Sequence, residues 1–298
     1  MTRAMGGREW AMLVAVGALF GSSFLFVNVA VDTISPLTLA AARALLAAPI
    51  VWLVLKAGGQ RLPRPGRDWV PLLVIGALTG AFPFAMIAYG QVHISSGVAG
   101  ILFGTIPMLT IIVSHFLTPD ERISPDKVVG GVVGLAGVVL VIGPEALMGL
   151  GAELAGQAAT LLAALSYTLG AIYGRLKANV PAPLQAAGQT IGGALILVPL
   201  SLAFDAPWSL APSDSALMAL VAMALLSTAL PSLLFFSLIR RAGATNASLA
   251  TFLMPVTAVA LGAAVLGERI SFEALGGLAL ILAGAALVSG RFALLARA

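Results

Sequence analysis

Apolar stretches of similar length, separated by short polar breaks, run along the whole chain. They cover Trp10–Val31, Pro36–Leu55, Trp69–Tyr89, Ser96–Leu117 and Val128–Ile142, then Leu154–Gly174, Leu184–Phe204, Ala216–Ile239, Ser248–Leu266 and Phe272–Ser289. Most approach the roughly 20 residues that an α-helix needs to cross a bilayer core. They lack the period-two alternation of membrane strands and exceed the roughly 10 residues such a strand uses. Val128–Ile142 is short, but its counterpart Phe272–Ser289 is longer, so both are read as spans. The pattern predicts an all-α membrane protein with ten transmembrane helices. Arg3 and Arg8 before the first run resemble the start of a secretory signal. That run, however, is longer than the roughly 7–15-residue core of a signal and has a partner in the second half.

The polar breaks carry a charge pattern that tests the count. With the N-terminus in the cytoplasm and ten crossings, 14 of the 16 Lys and Arg residues fall on the inner side. The exceptions are Arg269, outside, and Arg43, within a span. Acids such as Asp32, Glu145, Asp205 and Glu268 fall outside. This is the distribution expected of an inner-membrane protein, here with both termini cytoplasmic.

The pattern also repeats. Asp120-Glu121-Arg122-Ile123-Ser124, followed by Gly130-Gly131 and Leu135-Ala136-Gly137, returns as Gly267-Glu268-Arg269-Ile270-Ser271, Gly276-Gly277 and Leu282-Ala283-Gly284. Glu121 and Glu268 are 147 positions apart, and Pro36 and Pro183 keep the same offset. Five spans is an odd number, so the second copy enters the membrane from the opposite side. Residues 1–146 and 147–298 are thus read as two five-helix inverted repeats, an arrangement typical of secondary transporters.

Composition narrows the class. Hydrophobic residues make up 60% of the 298 and charged ones 9%, against about 25% charged in a soluble domain. The pI near 10.0 reflects inner loops, not a nucleic-acid face, because the bases do not cluster on one element. Without cysteine there is no disulfide framework and no thiolate metal site. No HExxH, GxSxG or intramembrane carboxylate pair is present, so no enzyme, metal or cofactor is expected.

Against this background the chain resembles the EamA-type drug/metabolite transporters, and among them the YddG-like amino-acid and metabolite exporters. The residues that carry the likeness are Leu19-Phe20-Gly21-Ser22-Ser23-Phe24, Ser35-Pro36-Leu37 with Ala42-Arg43, Met254-Pro255-Val256 and Gly267-Glu268-Arg269-Ile270-Ser271. Phe20 stands where the family often has tryptophan. The resemblance implies ten helices and export of small molecules, without fixing a substrate.

Polar groups inside a bilayer are functional candidates. Arg43 is the one charge deep in a span; it suits a substrate carboxylate, or it satisfies helix-end carbonyls. Asn28 and Ser22 of the first span are read as its partners in either case, and Tyr167 and Gln189 offer contacts from the second half. Tyr89 is either an interfacial belt residue or a cavity wall. His115 reads as packed or as a proton relay. Pro83 and Pro231, and Pro107 and Pro255, occupy equivalent places in the two halves. Each proline frees a carbonyl four residues back and marks either a hinge around a central site or a static kink.

No Asp or Glu lies deep in a span, and only one base does. A small, net-neutral solute with apolar bulk, such as a zwitterionic amino acid, fits that balance better than a phosphate. The expected partners are a small-molecule substrate and membrane lipid, with the oligomeric state open. The expected function is export by alternating access between the repeats. A facilitator or importer of another neutral solute, or a non-transporting scaffold, are the alternatives.

Overall fold

A computed structural model describes residues 6–64, 66–117, 125–142, 152–176, 180–242 and 250–288. These residues form ten helical rods and no strand. They are α1 (Gly7–Val31), α2 (Pro36–Ala57), α3 (Arg67–Gln91), α4 (96–117), α5 (Pro125–Ile142), α6 (Ala152–Leu176), α7 (182–204), α8 (214–242), α9 (Ala250–Leu266) and α10 (Phe272–Val288). Six are long and apolar enough to cross a membrane outright, and the other four contain shorter apolar helices. Large apolar side chains face outward along them: Phe116, Phe204, Met218 and Phe272 are each at least 73% exposed. Such a surface is tolerable in lipid and would be an aggregation hazard in water.

The helix starts are chemically marked. Ser35 precedes Pro36 at the first position of α2, where the missing N–H of proline is harmless. The Ser95 and Ser213 hydroxyls accept from Val98 N at 3.4 Å and Ala216 N at 3.2 Å, capping α4 and α8. The Gly-Glu-Arg-Ile-Ser block resolves into separate tasks. Gly267, at φ +67°, stops α9 in a conformation that suits glycine. Ser271 caps α10 by accepting from Ala274 N at 3.0 Å. Glu268 reaches across to α4 and accepts from Ser96 N at 2.7 Å and Gly97 N at 3.0 Å. The first-half copy of this block lies outside the described residues.

The contacts fix the direction of the rods. We call the face where α1 begins proximal and the face where it ends distal. Thr33, after α1, accepts from Ser213 N at the start of α8. Asp205, after α7, accepts from Ser35 and Thr38 at the start of α2. Gly90, near the end of α3, packs against Gly156, near the start of α6. So α1 enters from the proximal face and α6 from the distal face, and the two five-helix repeats are inverted.

Glycine sets how closely the halves approach. A Cβ on Gly80 of α3 would lie 2.2 Å from the Gln189 carbonyl oxygen of α7, and one on Gly76 would lie 2.6 Å from that of Gly188. The α5 and α10 rods form a second such pair, with Gly137 against the Gly277 carbonyl. In lipid this backbone contact replaces the hydrophobic drive for helix association.

Candidate functional site

Three rods contain a single widened, π-type turn: 76–81 in α3, 188–192 in α7 and 225–229 in α8. Two of them end just before Pro83 and Pro231. Proline has no N–H for the carbonyl four residues back, so the carbonyls of Thr79 and Ser227 lose their ordinary helical partner. The Gln189 side chain answers the first, its Nε2 donating to Thr79 O at 2.9 Å. On the other side Arg43 Nε donates to Thr228 Oγ1 at 2.9 Å. In each case a side chain from the second helix of one repeat meets the widened turn in the third helix of the other.

The hydroxyl network fixes the proton directions. Thr228 Oγ1 gives its hydrogen to Met223 O at 3.0 Å, which leaves a lone pair for Arg43. Ser22 Oγ gives its hydrogen to Leu19 O at 2.8 Å, so Ser227 is the donor in the 2.8 Å Ser22–Ser227 contact. Tyr167 and Gln189 both border the same space.

These groups border a cavity of about 380 Å³, within the range of small-molecule sites. Its lining comes from α1–α4 and α6–α9 and includes Ser23, Arg43, Thr79, Tyr167, Gln189 and Thr228. Aromatic walls are supplied by Phe20, Phe24, Phe84, Phe103 and Phe235. On the proximal side the lining reaches Gln185 and Ala250, in the first turns of α7 and α9. On the distal side it stops at Phe24, Ile87 and Phe103. The Phe24 and Phe103 rings pack edge to face with centroids 5.8 Å apart. From Phe24 to the end of α1 is about 10 Å of helix, so the distal side is closed by a thick plug.

Arg43 is 7% exposed, and among the described residues no carboxylate pairs with it. Its guanidinium lies over the Phe84 ring, 4.1 Å from the centroid. Asp32, the acid nearest to it in sequence, is exposed at the distal end of α1. Among the described residues no group of three His, Asp or Glu gathers to hold a metal.

The candidates from sequence divide cleanly. Arg43, Tyr167, Gln189 and Pro83 line the cavity. Ser22 sits just behind the wall, bonded to the lining Ser227. Asn28 and Tyr89 are not in the wall. Phe20, Ser23 and Phe24 place one stripe of α1 on the cavity, and Asn28, a turn beyond, lies past the Phe24–Phe103 closure. Tyr89 is two residues past the lining Ile87, which turns it to the outer surface at 41% exposure, its ring against His93. Pro231 and Pro255 are buried away from the lining, while the side chain of Pro107, like that of His115, lies outside the described residues. Sequence reasoning passed over Thr79, Ser227 and Thr228. Their signal was position, three or four residues before Pro83 and Pro231, where a widened turn exposes side chains that a regular helix keeps to itself.

The comparisons agree with this architecture. A family model described as the EamA-like transporter family matches twice, over residues 8–143 and 154–290. The chain is 26% identical over 273 residues to a Bacillus subtilis protein named uncharacterized transporter YoaV, covering 91% of this chain and 93% of that one. It is 26% identical over 261 residues to an Escherichia coli protein named uncharacterized inner membrane transporter YedA, covering 87% and 83%. A solved structure superposes with a TM-score of 0.66 at 22% identity, covering 97% of this chain and 98% of the other, a likeness of fold alone. With both halves matched and eight of the ten helical rods lining a shared cavity, this chain is a membrane protein that belongs to the EamA-like transporter family.

Proposed function

We propose that the protein exports small carboxylate-bearing metabolites, amino acids among them, by alternating access between its two repeats. In this reading the proximal face is cytoplasmic, in keeping with the placement of the bases. The cavity then corresponds to the loading state of an exporter, reachable from the cytoplasm and closed toward the outside. The observation that carries the reading is Arg43, a buried cation with no acid partner among the described residues, in the wall of a cavity shared by both halves. A planar guanidinium matches the two oxygens of a carboxylate, and its burial is costly unless something answers the charge. The widened turns beside Pro83 and Pro231 supply places where the helices bend as the halves rock.

Counterflow into proteoliposomes tests this. An amino acid and its amide are compared in the wild type and in Arg43→Lys, each normalised to folded protein. Lysine keeps the charge and loses the fork. The expected result is a loss of about tenfold for the carboxylate and little change for the amide. Equal losses for both solutes assign Arg43 to folding and remove the carboxylate site.

A further inference from the structure

The charge balance of the cavity narrows the solute further, on the reading that this cavity is the solute site. Among its described lining residues there is one formal charge, Arg43, and no Asp or Glu. Two acids of the distal face are engaged in holding helix starts. Asp205 holds the start of α2 through Ser35 and Thr38, and Glu268 holds the start of α4 through Ser96 and Gly97. Asp32 is exposed beyond the distal plug. The guanidinium has one hydrogen-bond acceptor from the protein, Thr228, and its face is covered by Phe84. Its terminal amino groups make no hydrogen bond to a described residue, so among the described residues its positive charge is uncompensated.

We infer that the cavity takes net monoanions: carboxylates with an aromatic or branched apolar body and no ammonium group. Such a solute neutralises Arg43 and leaves no charge over, while Phe20, Phe24, Phe103 and Phe235 receive its apolar part. A zwitterion also presents a carboxylate but brings a second cation into the same largely apolar space. Its ammonium finds only neutral acceptors there. Gln189 offers it only a neutral amide oxygen, and Phe84 already faces the Arg43 cation. Removing an ammonium from water without an answering anion is unfavourable. The ammonium therefore weakens binding here, so an amino acid is the poorer solute beside the same carboxylate without it. Arginine stays charged at every physiological pH, so the preference does not depend on the titration of the wall.

The test is direct binding by titration calorimetry to the purified full-length protein, using four probes of one shape. They are 3-phenylpropanoate, L-phenylalanine, L-phenylalaninamide and 3-phenylpropanamide. The expected order places 3-phenylpropanoate at least tenfold tighter than L-phenylalanine, with both amides weaker still. L-phenylalanine binding as tightly as 3-phenylpropanoate, or more tightly, overturns the monoanion inference and leaves the carboxylate site standing. The neutral 3-phenylpropanamide binding as tightly as the acid overturns both. Absence of binding by all four at millimolar concentration does the same. Because the comparison uses the unmodified chain, a folding defect cannot produce the result. Arg43→Gln serves as a second check: the tenfold gap should collapse in any fraction that remains monodisperse and folded.

Discussion

At the scale of single residues, the site depends on how a guanidinium is held within a hydrocarbon slab. Thr228 is the residue that orients it. The threonine hydrogen is committed to Met223 O, so its lone pair is available to Arg43 Nε. Thr228→Val keeps the shape, removes that acceptor and leaves one donor of a buried cation unmatched, at a cost of about 1–3 kcal/mol. The expected outcome is a lowered melting temperature together with about tenfold weaker binding of a carboxylate probe. Affinity for the neutral amide of the same solute should hold. Unchanged selectivity between the two would remove Thr228 from the positioning of Arg43. Arg43 itself was legible in the sequence because a lone charge in a long apolar run has few explanations. Thr228 was not, since Ser and Thr in membrane helices ordinarily bond their own backbone, and only the widened turn frees this one for another helix.

At the scale of elements, apolar length gave the ten rods and most of their ends, because a bilayer demands that length of every crossing. It underestimated α5, which starts at Pro125 instead of Val128. Proline and two charged residues form its first turn, where neither the missing N–H nor the polarity is a penalty. It also treated α4 as one helix, whereas two segments meet at Gly104–Thr105, just before Pro107. Prolines marked the irregular places without revealing their form. The widened turn before Pro83 is held by a partner from the other repeat, Gln189, which the sequence offered only as a solute contact. This predicts a specific coupling. Gln189→Leu strands the buried Thr79 carbonyl and should lower stability by about 1–3 kcal/mol. Pro83→Ala returns an amide hydrogen four residues after Thr79, so the same Gln189→Leu change should cost much less in that background. A double-mutant cycle read by thermal unfolding measures the difference. Additive losses would show that Gln189 does not serve as the substitute donor.

At the scale of the whole molecule, the inverted repeats surround a cavity that reaches the first turns of α7 and α9 on the proximal side and is closed on the distal side. The distal face is held shut by contacts that run from the second repeat to the first. Asp205 binds Ser35 and Thr38 at the start of α2, and Glu268 binds Ser96 and Gly97 at the start of α4. Both are carboxylates at helix N-termini, where charge-assisted hydrogen bonds and the helix dipole act together. Under alternating access these two latches must part before the cavity can empty distally, while the Phe24–Phe103 pair separates beneath them. Asp205→Asn and Glu268→Gln preserve shape and remove charge. A loss of about 1.4 kcal/mol of closing energy raises the distal-open population about tenfold relative to closed. The chain has no cysteine, so Ile87→Cys, at the distal limit of the cavity, reports opening against a clean background. An impermeant maleimide added on the distal side should label it slowly in the otherwise native chain and about tenfold faster when both latches are neutral. A labelling rate that ignores both substitutions would mean that the aromatic plug alone keeps the distal face closed, and that the two acids serve only as caps for the helices they touch.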